Sequence, residues 1–337
     1  MIKKIAVIGA GSWGTALATV LDNNGYEVVL WTLSQVQVDE IEATGINSFY
    51  LPETKISKSI KLTTDFAFAV KDAEIVVTAV PSTATRLVVE NNKTLFNKNQ
   101  IIVNVSKGFD KESGSRLSVA IKEVLPENKI VVLSGPSHAE EVAQRLATAV
   151  VSTSEDEEVA KLVQDVFANE YFRVYTNTDV VGAEIGGALK NIIALAAGVA
   201  DGINMGDNTK AAIMTRGMAE IAKYGVALGA NYNTFYGLTG IGDLIVTCGS
   251  MHSRNRRAGI LIGQGKPLDV VLKEVGMVVE GVEALKVVKS KNFKNAPETP
   301  IVTELYNVIF DGKDPKTSLA QLMTRDYKME KDFSLYN

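Results

Sequence analysis

Short and almost continuously apolar runs alternate, in the first half of the chain, with longer segments in which apolar residues recur every three or four positions. Such runs are typical of parallel strands buried on both faces, and the segments between them are typical of connecting helices. The runs are KIAVIGA, EVVLWT, IKLTTD, EIVVTAVPS, IIVNVSKG, KIVVLSGPS, TAVVSTS and FRVYTNT. The pattern predicts an α/β, Rossmann-type, doubly wound and mainly parallel sheet over residues 1–178.

After Asp179 the apolar residues follow a helical period, and Gly or Pro separates the segments. The helical segments are GAEIGGALKNIIALAAGVADG, TKAAIMTRGMAEIAKYGVALG, SRNRRAGILIGQG, PLDVVLKEVG, EGVEALKVVKSKN, PIVTELYNVIFDG and DPKTSLAQLM. We therefore expect an all-α domain over residues 179–337. Because doubly wound sheets bind ligands outside the carboxyl ends of their strands, the expected ligand cleft lies between those ends and this helical domain.

Composition narrows the class of protein. The 337 residues are 46% hydrophobic and 22% charged, as in ordinary globular proteins, and the net charge of -4 argues against a nucleic-acid binder. The chain has one cysteine, Cys248, and two histidines, His138 and His252, which excludes an intrachain disulfide and leaves no plausible zinc cluster. We expect no metal ion and a reducing, cytoplasmic setting.

The N-terminal segment MIKKIAVIGAGSWGTALATVL imitates a signal peptide, with two lysines before an apolar stretch. Regularly spaced glycines interrupt that stretch, which favours a strand, a tight turn and a helix instead. No run approaches the roughly 18 apolar residues that a membrane span needs. The prediction is a chain without stable membrane insertion.

Gly9, Gly11 and Gly14 form a G-x-G-x-x-G motif directly after the first predicted strand and at the start of a helix. The first glycine permits a tight turn, the second lets a pyrophosphate approach the backbone, and the third lets helix and strand lie close together. In this setting the motif predicts dinucleotide binding, with Ser12 and Trp13 at the phosphates and the ring edge. A purely structural turn is the alternative.

The second predicted strand ends in EVVLWTLSQ and lacks the acidic residue that grips a ribose 2′-hydroxyl about 20 residues after the glycines. No arginine stands there to bind a 2′-phosphate either. Asp39 and Glu40 fit a solvated helix face better. The choice between NAD and NADP is open at this point.

Lys190 is the one charged residue in GGALKNIIALAAG, residues 186–198. On a helix its neighbours three and four positions away are glycines, isoleucine and alanine, so its face is apolar and turned inward. A buried ammonium is costly unless it is paired or loses its proton, and such lysines often serve as bases. A lysine that reaches out of the edge of a core helix is the alternative.

Two further turns follow predicted strands. Lys107 follows a buried strand in NVSKGFD and precedes a glycine, so we expect it on the cofactor-side rim. In SGPSHAEEVA the strand is expected to end at Leu133, with Gly135 and Pro136 turning the chain and Ser137 beginning a helix whose free N–H groups could hold an anion. A capped turn is the alternative for the second motif. His138 fits a surface or capping histidine better than a base.

The helical half contains candidate residues at three predicted helix starts. Asp243 in GLTGIGDLIVTC is either a site residue or an N-cap. Ser253, Arg254 and Asn255 combine a hydroxyl, a guanidinium and an amide suited to a phosphate or carboxylate, with a solvated basic face as the alternative. Glu280 in VVEGVEAL is either functional or an acid that complements the helix dipole.

Several motifs together carry a family resemblance from about residue 4 to about residue 325. They are GAGSWGTALA, VPS, SKG, SGPSHAEEVA, GGALKNIIALAAGVADG, TRGMAEI, GLTGIGDLIVTC, SRNRRAG and VVEG. In this order they resemble the NAD(P)-dependent glycerol-3-phosphate dehydrogenases of the bacterial type. The resemblance implies an oxidoreductase that interconverts sn-glycerol 3-phosphate and dihydroxyacetone phosphate with NADP(H) or NAD(H) and feeds phospholipid synthesis. It also implies a helical domain like the C-terminal part of 6-phosphogluconate dehydrogenase.

The resemblance assigns roles by motif. Lys190 matches the proton acceptor. Substrate contacts match Lys107, Gly135, Ser137, Lys190, Asp243, Ser253, Arg254 and Asn255. Cofactor positions match Ser12, Trp13, Lys107, Ala139, Arg254, Val278 and Glu280, in addition to Gly9, Gly11 and Gly14. Thr32 and Leu33 depart from the Arg or His that members often carry near the adenosine ribose.

The implied mechanism moves a hydride between nicotinamide and C2 of the substrate while a base handles the proton of the C2 oxygen. Lys190, in an apolar site near Lys107, should have a lowered pKa, and Asp243 should limit that change. Rival interpretations are a related dehydrogenase acting on a β-hydroxy acid or ketopantoate, and a non-enzymatic NADP(H) sensor. Apolar helices could also pair between subunits, which weakly favours a homodimer.

Overall fold

The computed structural model describes residues 2–290, 297–326 and 329–330. The chain forms two compact units. One contains residues 1–106 and 115–180, and the other contains residues 107–114 and 181–337. Each unit has its own hydrophobic core.

The first unit is built on strands that coincide with all the predicted apolar runs, together with a short pair that the sequence pattern did not indicate. The strands are β1 (Lys4–Ile8), β2 (Glu27–Trp31), β3 (Ile46–Asn47), β4 (Leu51–Lys55), β5 (Lys61–Thr63), β6 (Ile75–Thr78), β7 (Ile101–Asn104), β8 (Lys129–Ser134), β9 (Thr148–Thr153) and β10 (Phe172–Asn177). Strands β3 and β4 form the unpredicted antiparallel pair. The other eight form one sheet in the order β10-β9-β8-β7-β6-β1-β2-β5.

The sheet is mainly parallel, as predicted. Strand β1 pairs in parallel with both β2 and β6, and the chain order reverses on either side of it. Within this sheet, as far as the structure describes the chain, β8 and β9 are the one antiparallel pair, so β9 and β10 run opposite to the other strands. Residues Ile5 and Val7 of β1 enter one apolar core, whereas Ala6 and Ile8 enter the core on the opposite face. Burial on both faces explains why the strands are almost continuously apolar.

Helices cover these two faces. They are α1 (Ser12–Asn23), α2 (Gln35–Thr44), α3 (Phe66–Val70), α4 (Ser82–Asn91), α5 (Leu117–Val124), α6 (Ala139–Ala143) and α7 (Glu157–Phe167). The α/β, doubly wound, Rossmann-like prediction is confirmed for this unit.

The second unit is helical in its described residues. Its helices are α8 (Val180–Gly202), α9 (Gly206–Ala227), α10 (Asp243–Gly249), α11 (Arg254–Gly263), α12 (Leu268–Val275), α13 (Glu280–Ser290), α14 (Pro300–Phe310) and α15 (Pro315–Met323). A 3₁₀ turn at Tyr232–Tyr236 and a π-helical turn at Leu238–Gly242 precede α10. The predicted helical segments are all present, and the last residues of EGVEALKVVKSKN lie outside the described residues.

Helix α8 is long and largely apolar. An 18-residue window of it has a mean hydropathy of 1.5, so by length and composition alone the helix could cross a membrane. Glu184 and Lys190 interrupt its apolar sequence, so it is not a continuous apolar run of the kind to which the sequence expectation refers. The window is 94% buried inside the structure, and many of its residues belong to the second unit's core.

The segment Lys107–Gly114 belongs to the second unit, although the sequence prediction placed it in the first domain. The physical reason is Phe109, which is buried in the same apolar core as Ile192 and Leu195 of α8. The amide of Asn191 also donates a hydrogen bond to the Lys107 carbonyl oxygen, at 3.5 Å.

Candidate functional sites

The glycine-rich turn between β1 and α1 has the backbone that the motif predicted. Gly9 has φ +114°, and a Cβ there would lie 2.7 Å from the Ala79 carbonyl oxygen. A Cβ at Gly14 would overlap the Gly9 carbonyl oxygen, so helix and strand approach closely here. A Cβ at Gly11 would meet nothing within 4 Å, and no side chain caps the start of α1. Open space beside uncapped N–H groups fits a dinucleotide pyrophosphate.

Two amide side chains hold this turn, and the sequence reasoning missed both. Gln37 Nε2 and Asn47 Nδ2 donate to the Ala10 carbonyl oxygen at 2.7 and 2.9 Å, and Asn47 Nδ2 also donates to Thr15 Oγ1 at 2.9 Å. Ser12 Oγ donates to the Tyr50 carbonyl oxygen at 2.8 Å. No local motif marks these residues, because each is brought to the turn by the fold.

The half-buried Trp13 contacts the first unit's core, with its ring 6.5 Å from that of Phe172. One side of the indole therefore packs against apolar side chains, next to the glycine turn. Ala139, at the start of α6, is buried in the same core.

The end of β2 carries no charged side chain. Thr32 is buried and its hydroxyl donates to Gln37 Oε1 at 2.6 Å, whereas Leu33 is 84% exposed. Asp39 is exposed and accepts from Gln35 on the same helix, and Glu40 accepts from Ser48. These contacts agree with the interpretation that Asp39 and Glu40 lie on a helix surface.

The turn after β8 differs from its prediction by a few residues. The strand extends to Ser134, and α6 begins at Ala139 rather than at Ser137. Ser137 Oγ instead donates to the Gly135 carbonyl oxygen at 3.0 Å, and Gly135 has φ +148°. His138 has an extended backbone and occupies the N-cap position of this helix of five residues.

A buried ionic cluster lies in the second unit. Lys190, on α8, donates from Nζ to Asp243 Oδ1 at 2.7 Å and to Thr247 Oγ1 at 2.6 Å. Lys107 Nζ donates to Asp243 Oδ2 at 2.8 Å. Lys190 is 6% exposed and Asp243 is fully buried. One carboxylate is therefore shared by two ammonium groups in an apolar surrounding.

Burial lowers the pKa of Lys190 to about 8, and the nearby charge of Lys107 adds to this effect, while Asp243 opposes it. Burial alone would raise the pKa of Asp243, but Lys107 and Lys190 outweigh it and hold that pKa below its ordinary value. The cluster thus contains a carboxylate that favours its ionised form and a lysine that can change its protonation near neutral pH.

Asp243 is the first residue of α10, and Gly242 occupies the N-cap position, so the N-cap interpretation is wrong. Thr247 lies one turn further along α10 and donates to the Asp243 carbonyl oxygen at 2.6 Å. The sequence reasoning missed Thr247. Its spacing of four residues from Asp243 on one helix is the signal that could have found it.

The predicted anion grip begins α11. Ser253 is the N-cap, and its Oγ accepts from Arg256 N at 3.2 Å. Arg254 is exposed. Asn255 is buried, and both polar atoms of its side chain form hydrogen bonds. Its Nδ2 donates to Asn191 Oδ1 at 2.9 Å, and its Oδ1 accepts from Gly281 N at 2.8 Å. Asn255 therefore links α8, which carries the lysine, to the first turn of α13.

The remaining candidates lie at that first turn of α13. Glu280 is its first residue and is half-buried, and Val278 precedes it and is exposed. Among the described residues, no group of three or more His, Cys, Asp or Glu side chains could hold a metal ion.

Comparison with known proteins gives a consistent result for both halves of the chain. The family model described as NAD-dependent glycerol-3-phosphate dehydrogenase N-terminus matches residues 4–160, and the corresponding C-terminus model matches residues 179–320. The chain is 53% identical over 327 residues to glycerol-3-phosphate dehydrogenase [NAD(P)+] of Thermoanaerobacter sp. (strain X514), covering 97% of this chain and 98% of that protein. It is 50% identical over 333 residues to the enzyme of that name from Listeria monocytogenes serotype 4b (strain CLIP80459), covering 98% of each.

A solved structure agrees. The crystal structure of glycerol-3-phosphate dehydrogenase from Coxiella burnetii superposes with a TM-score of 0.92 at 34% identity, over 96% of this chain and 99% of that chain. Similarity of this kind extends over both units and nearly the full length.

Proposed function

This chain belongs to the NAD-dependent glycerol-3-phosphate dehydrogenase family, and we propose that it catalyses the reversible, NAD(P)-dependent reduction of dihydroxyacetone phosphate to sn-glycerol 3-phosphate. It is an oxidoreductase acting on a CH–OH group, with a small-molecule substrate. The observation that carries the proposal for this chain is the buried Lys190 bound to Asp243, because the reaction needs one group that changes protonation beside the reacting oxygen.

The nicotinamide cofactor, when bound, supplies or accepts the hydride at C2 of the substrate. Lys190 handles the accompanying proton at the C2 oxygen. In oxidation of glycerol 3-phosphate the neutral amine accepts the hydroxyl proton, and in reduction the ammonium donates it. A pKa of about 8 makes both forms accessible near neutral pH.

Lys107 and Asp243 set the electrostatics of this step. Lys107 places a second positive charge near Lys190 and thereby stabilises negative charge that develops on the C2 oxygen during reduction. Asp243 binds both ammonium groups and orients them through hydrogen bonds of 2.8 and 2.7 Å. We assign a substrate-contact role to Lys107, Lys190 and Asp243 on these grounds.

The substrate phosphate is the ligand we assign to the first turn of α11. Arg254 supplies a guanidinium fork suited to a phosphate, and Ser253 and Asn255 flank it. Because Asn255 is held by Asn191 and Gly281, we assign it the role of fixing this turn as well as that of contacting the substrate. Gly135 and Ser137 keep the substrate-contact role that the family resemblance gives them.

We assign the cofactor pyrophosphate to the glycine turn of the first unit, where Gly9, Gly11, Ser12, Trp13 and Gly14 form the cradle. By family resemblance, Lys107, Ala139, Arg254, Val278 and Glu280 are further cofactor positions. The cofactor is NADP(H) or NAD(H). We further propose a cytoplasmic homodimer, without stable membrane insertion or nucleic-acid binding, that supplies glycerol 3-phosphate to phospholipid synthesis. Light scattering of the purified protein tests the dimer.

One assay tests the activity. Purified protein is mixed with NADPH or NADH, and dihydroxyacetone phosphate, ketopantoate and tartronate semialdehyde are offered separately while cofactor absorbance is followed. Consumption only with dihydroxyacetone phosphate supports the proposal. Consumption only with either of the other two overturns it in favour of a related dehydrogenase, and cofactor binding without turnover of any of them indicates a sensor.

A further inference from the structure

A second ionic cluster lies in the helical unit, apart from the Lys190 site. Asp201, near the end of α8, binds two cations from different helices. Arg256 Nε of α11 lies 2.9 Å from Asp201 Oδ2, and Lys210 Nζ of α9 lies 2.7 Å from Asp201 Oδ1. All three side chains are mostly buried, with exposures between 14% and 20%. A partly buried, doubly paired carboxylate holds its helices more firmly than a surface ion pair does.

Arg256 also reaches a third helix. Its Nη1 donates a hydrogen bond to the carbonyl oxygen of Gly249, at 2.7 Å, and Gly249 is the last residue of α10. Arg256 thus closes a triangle of helices. Lys190 and Asp243 connect α8 to α10, Asp201 and Arg256 connect α8 to α11, and Arg256 connects α11 back to α10.

Backbone packing fixes the α8–α11 side of this triangle. Gly198 and Gly202 of α8 face Gly259 and Gly263 of α11, and a Cβ at any of the four would overlap a backbone carbonyl oxygen of the other helix. Two helices in such close contact cannot slide without steric overlap. The glycine contacts fix the spacing of the two helices, and the Arg256 side chain adds the links to Asp201 and Gly249 from the first turn of α11.

We propose that Asp201 and Arg256 are positioning residues that hold the phosphate grip of α11 at a fixed distance from Lys190. This inference rests on the proposed function, in which Arg254 binds the substrate phosphate and Lys190 handles the proton. Binding of the phosphate by Arg254 places C2 of the substrate for reaction only if the distance between Arg254 and Lys190 is kept. A misplacement of about 1 Å can cost about a hundredfold in rate. Lys210 binds the same carboxylate from α9, which carries neither function.

The test compares substitutions on the two sides of the same carboxylate. Arg256→Met removes the link to α11, and Lys210→Met removes the link to α9 as a matched control. Steady-state kinetics give KM and kcat for dihydroxyacetone phosphate, KM for NADPH, and the rate with dihydroxyacetone, which has no phosphate. Circular dichroism and Tm report folding. Arg256→Lys and Asp201→Asn carry the same test if Arg256→Met does not fold.

We expect the substitutions to affect only the substrate that carries a phosphate. Arg256→Met should raise KM for dihydroxyacetone phosphate by about tenfold or more, with KM for NADPH and the rate with dihydroxyacetone changed less than about threefold. Asp201→Asn should act in the same way. Arg256→Lys should recover only part of the loss, because an ammonium cannot reach both Asp201 and Gly249 with the guanidinium geometry. Lys210→Met should keep KM and kcat within about threefold of the parent, because α9 carries neither the phosphate grip nor Lys190.

Failure of the inference differs from failure of the proposed function. If the parent does not reduce dihydroxyacetone phosphate, the proposed function is wrong. If the parent does so, but Arg256→Met and Lys210→Met raise KM equally, or the phosphorylated and unphosphorylated substrates lose rate equally, then the cluster only stabilises the fold and the positioning role is overturned.

Discussion

The Nζ atom of Lys190 lies 2.7 Å from Oδ1 of Asp243, inside the core of the helical unit. Asp243 contacts Lys107 with its other oxygen, so the cluster has one more positive than negative charge when Lys190 is protonated. Burial lowers the pKa of Lys190 and Asp243 raises it, and the balance is about 8. A lysine without the carboxylate would lose its proton more readily, and a solvated lysine would not lose it near neutral pH.

The first prediction concerns the proton acceptor. Lys190→Met should lower turnover by about 10² to 10⁴ and leave cofactor affinity nearly unchanged, because methionine fills the apolar space but carries no proton. In the parent, glycerol 3-phosphate oxidation needs the neutral amine, so kcat/KM should rise with pH through about 8. Reduction of dihydroxyacetone phosphate needs the ammonium and should fall above that pH.

Steady-state rates in both directions between about pH 6 and about pH 10 measure these profiles. Lys129→Met is a suitable control, because Lys129 is an exposed lysine of the first unit. Turnover of Lys190→Met within a few-fold of the parent would remove Lys190 from its proposed role.

The elements that the sequence predicted correctly are those whose sequence is determined mainly by burial. Residues Ile5 to Ile8 are buried on both faces of the sheet, and their continuous apolar sequence predicted this strand. The pair β3–β4 was missed because Leu51–Lys55 is short and mostly polar. The boundary at Lys107–Gly114 was missed because Phe109 is placed by long-range packing, which no local pattern encodes.

In the candidate site, too, the residues that the sequence revealed are those that differ from their local surroundings. Lys190 and Asp243 stood out because each is a charge in an apolar or glycine-rich segment, where solvation cannot explain it. Gln37 and Asn47 have ordinary polar surroundings in the sequence, and only the fold brings their amides to Ala10. Their contribution to the glycine turn was therefore not predictable from the chain alone.

The glycine turn gives a prediction that separates cofactor binding from folding. Gly11→Ala should change the free energy of unfolding by less than about 1 kcal/mol, since its Cβ meets nothing within 4 Å and its φ of −72° suits alanine. It should nevertheless raise KM for the cofactor by about tenfold or more if pyrophosphate approaches this backbone. Gly14→Ala should instead destabilise the protein by about 3 kcal/mol, because its Cβ overlaps the Gly9 carbonyl oxygen.

Urea unfolding and cofactor titration, both on the two variants and the parent, measure the difference. Equal cofactor affinity in the parent and Gly11→Ala would place the pyrophosphate elsewhere.

A third prediction tests the phosphate grip. Arg254→Ala should lower kcat/KM for dihydroxyacetone phosphate by an amount equivalent to about 2–5 kcal/mol, because the dianionic substrate phosphate then lacks its guanidinium partner. Arg254→Lys should recover part, since it restores the charge but not the fork. Dihydroxyacetone should react poorly with the parent and should be affected far less by the substitution. Equal losses with both substrates would mean that Arg254 acts on the cofactor or the fold.

Cofactor choice is the subject of a fourth prediction. Thr32 is engaged with Gln37, and Leu33 is exposed and apolar, so the end of β2 offers no charged partner to a 2′-hydroxyl or a 2′-phosphate. One charge-assisted contact is worth roughly 1.5–3 kcal/mol, and without it NADH and NADPH should differ by less than about a hundredfold in kcat/KM. Parallel kinetics with the two cofactors measure the ratio, and a preference of several thousandfold would reveal a residue elsewhere that reads the ribose.

A buried carboxylate in the helical unit leads to the last prediction. Glu220 of α9 accepts hydrogen bonds from Ile301 N at 2.9 Å and Val302 N at 3.3 Å, at the start of α14. Burial raises its pKa to about 7, although the two backbone N–H groups and, more weakly, the charges of Arg325 and Arg216 act in the opposite direction. The folded chain therefore binds a proton at Glu220 that the unfolded chain releases near its ordinary pKa of 4.5.

The sign of the effect follows from this difference. A raised pKa in the folded state means that the contribution of Glu220 to stability is fully present below about pH 4.5 and is lost as pH rises through about 7. The loss approaches about 3 kcal/mol at alkaline pH. Glu220→Gln does not titrate, so its free energy of unfolding relative to the parent should increase by about that amount between about pH 5 and about pH 8.5. Urea unfolding across this range measures the difference, and Glu127→Gln, at an exposed glutamate, is the matched control and should show no such trend. A Glu220→Gln difference that stays constant with pH would mean that Glu220 is ionised throughout in the folded protein.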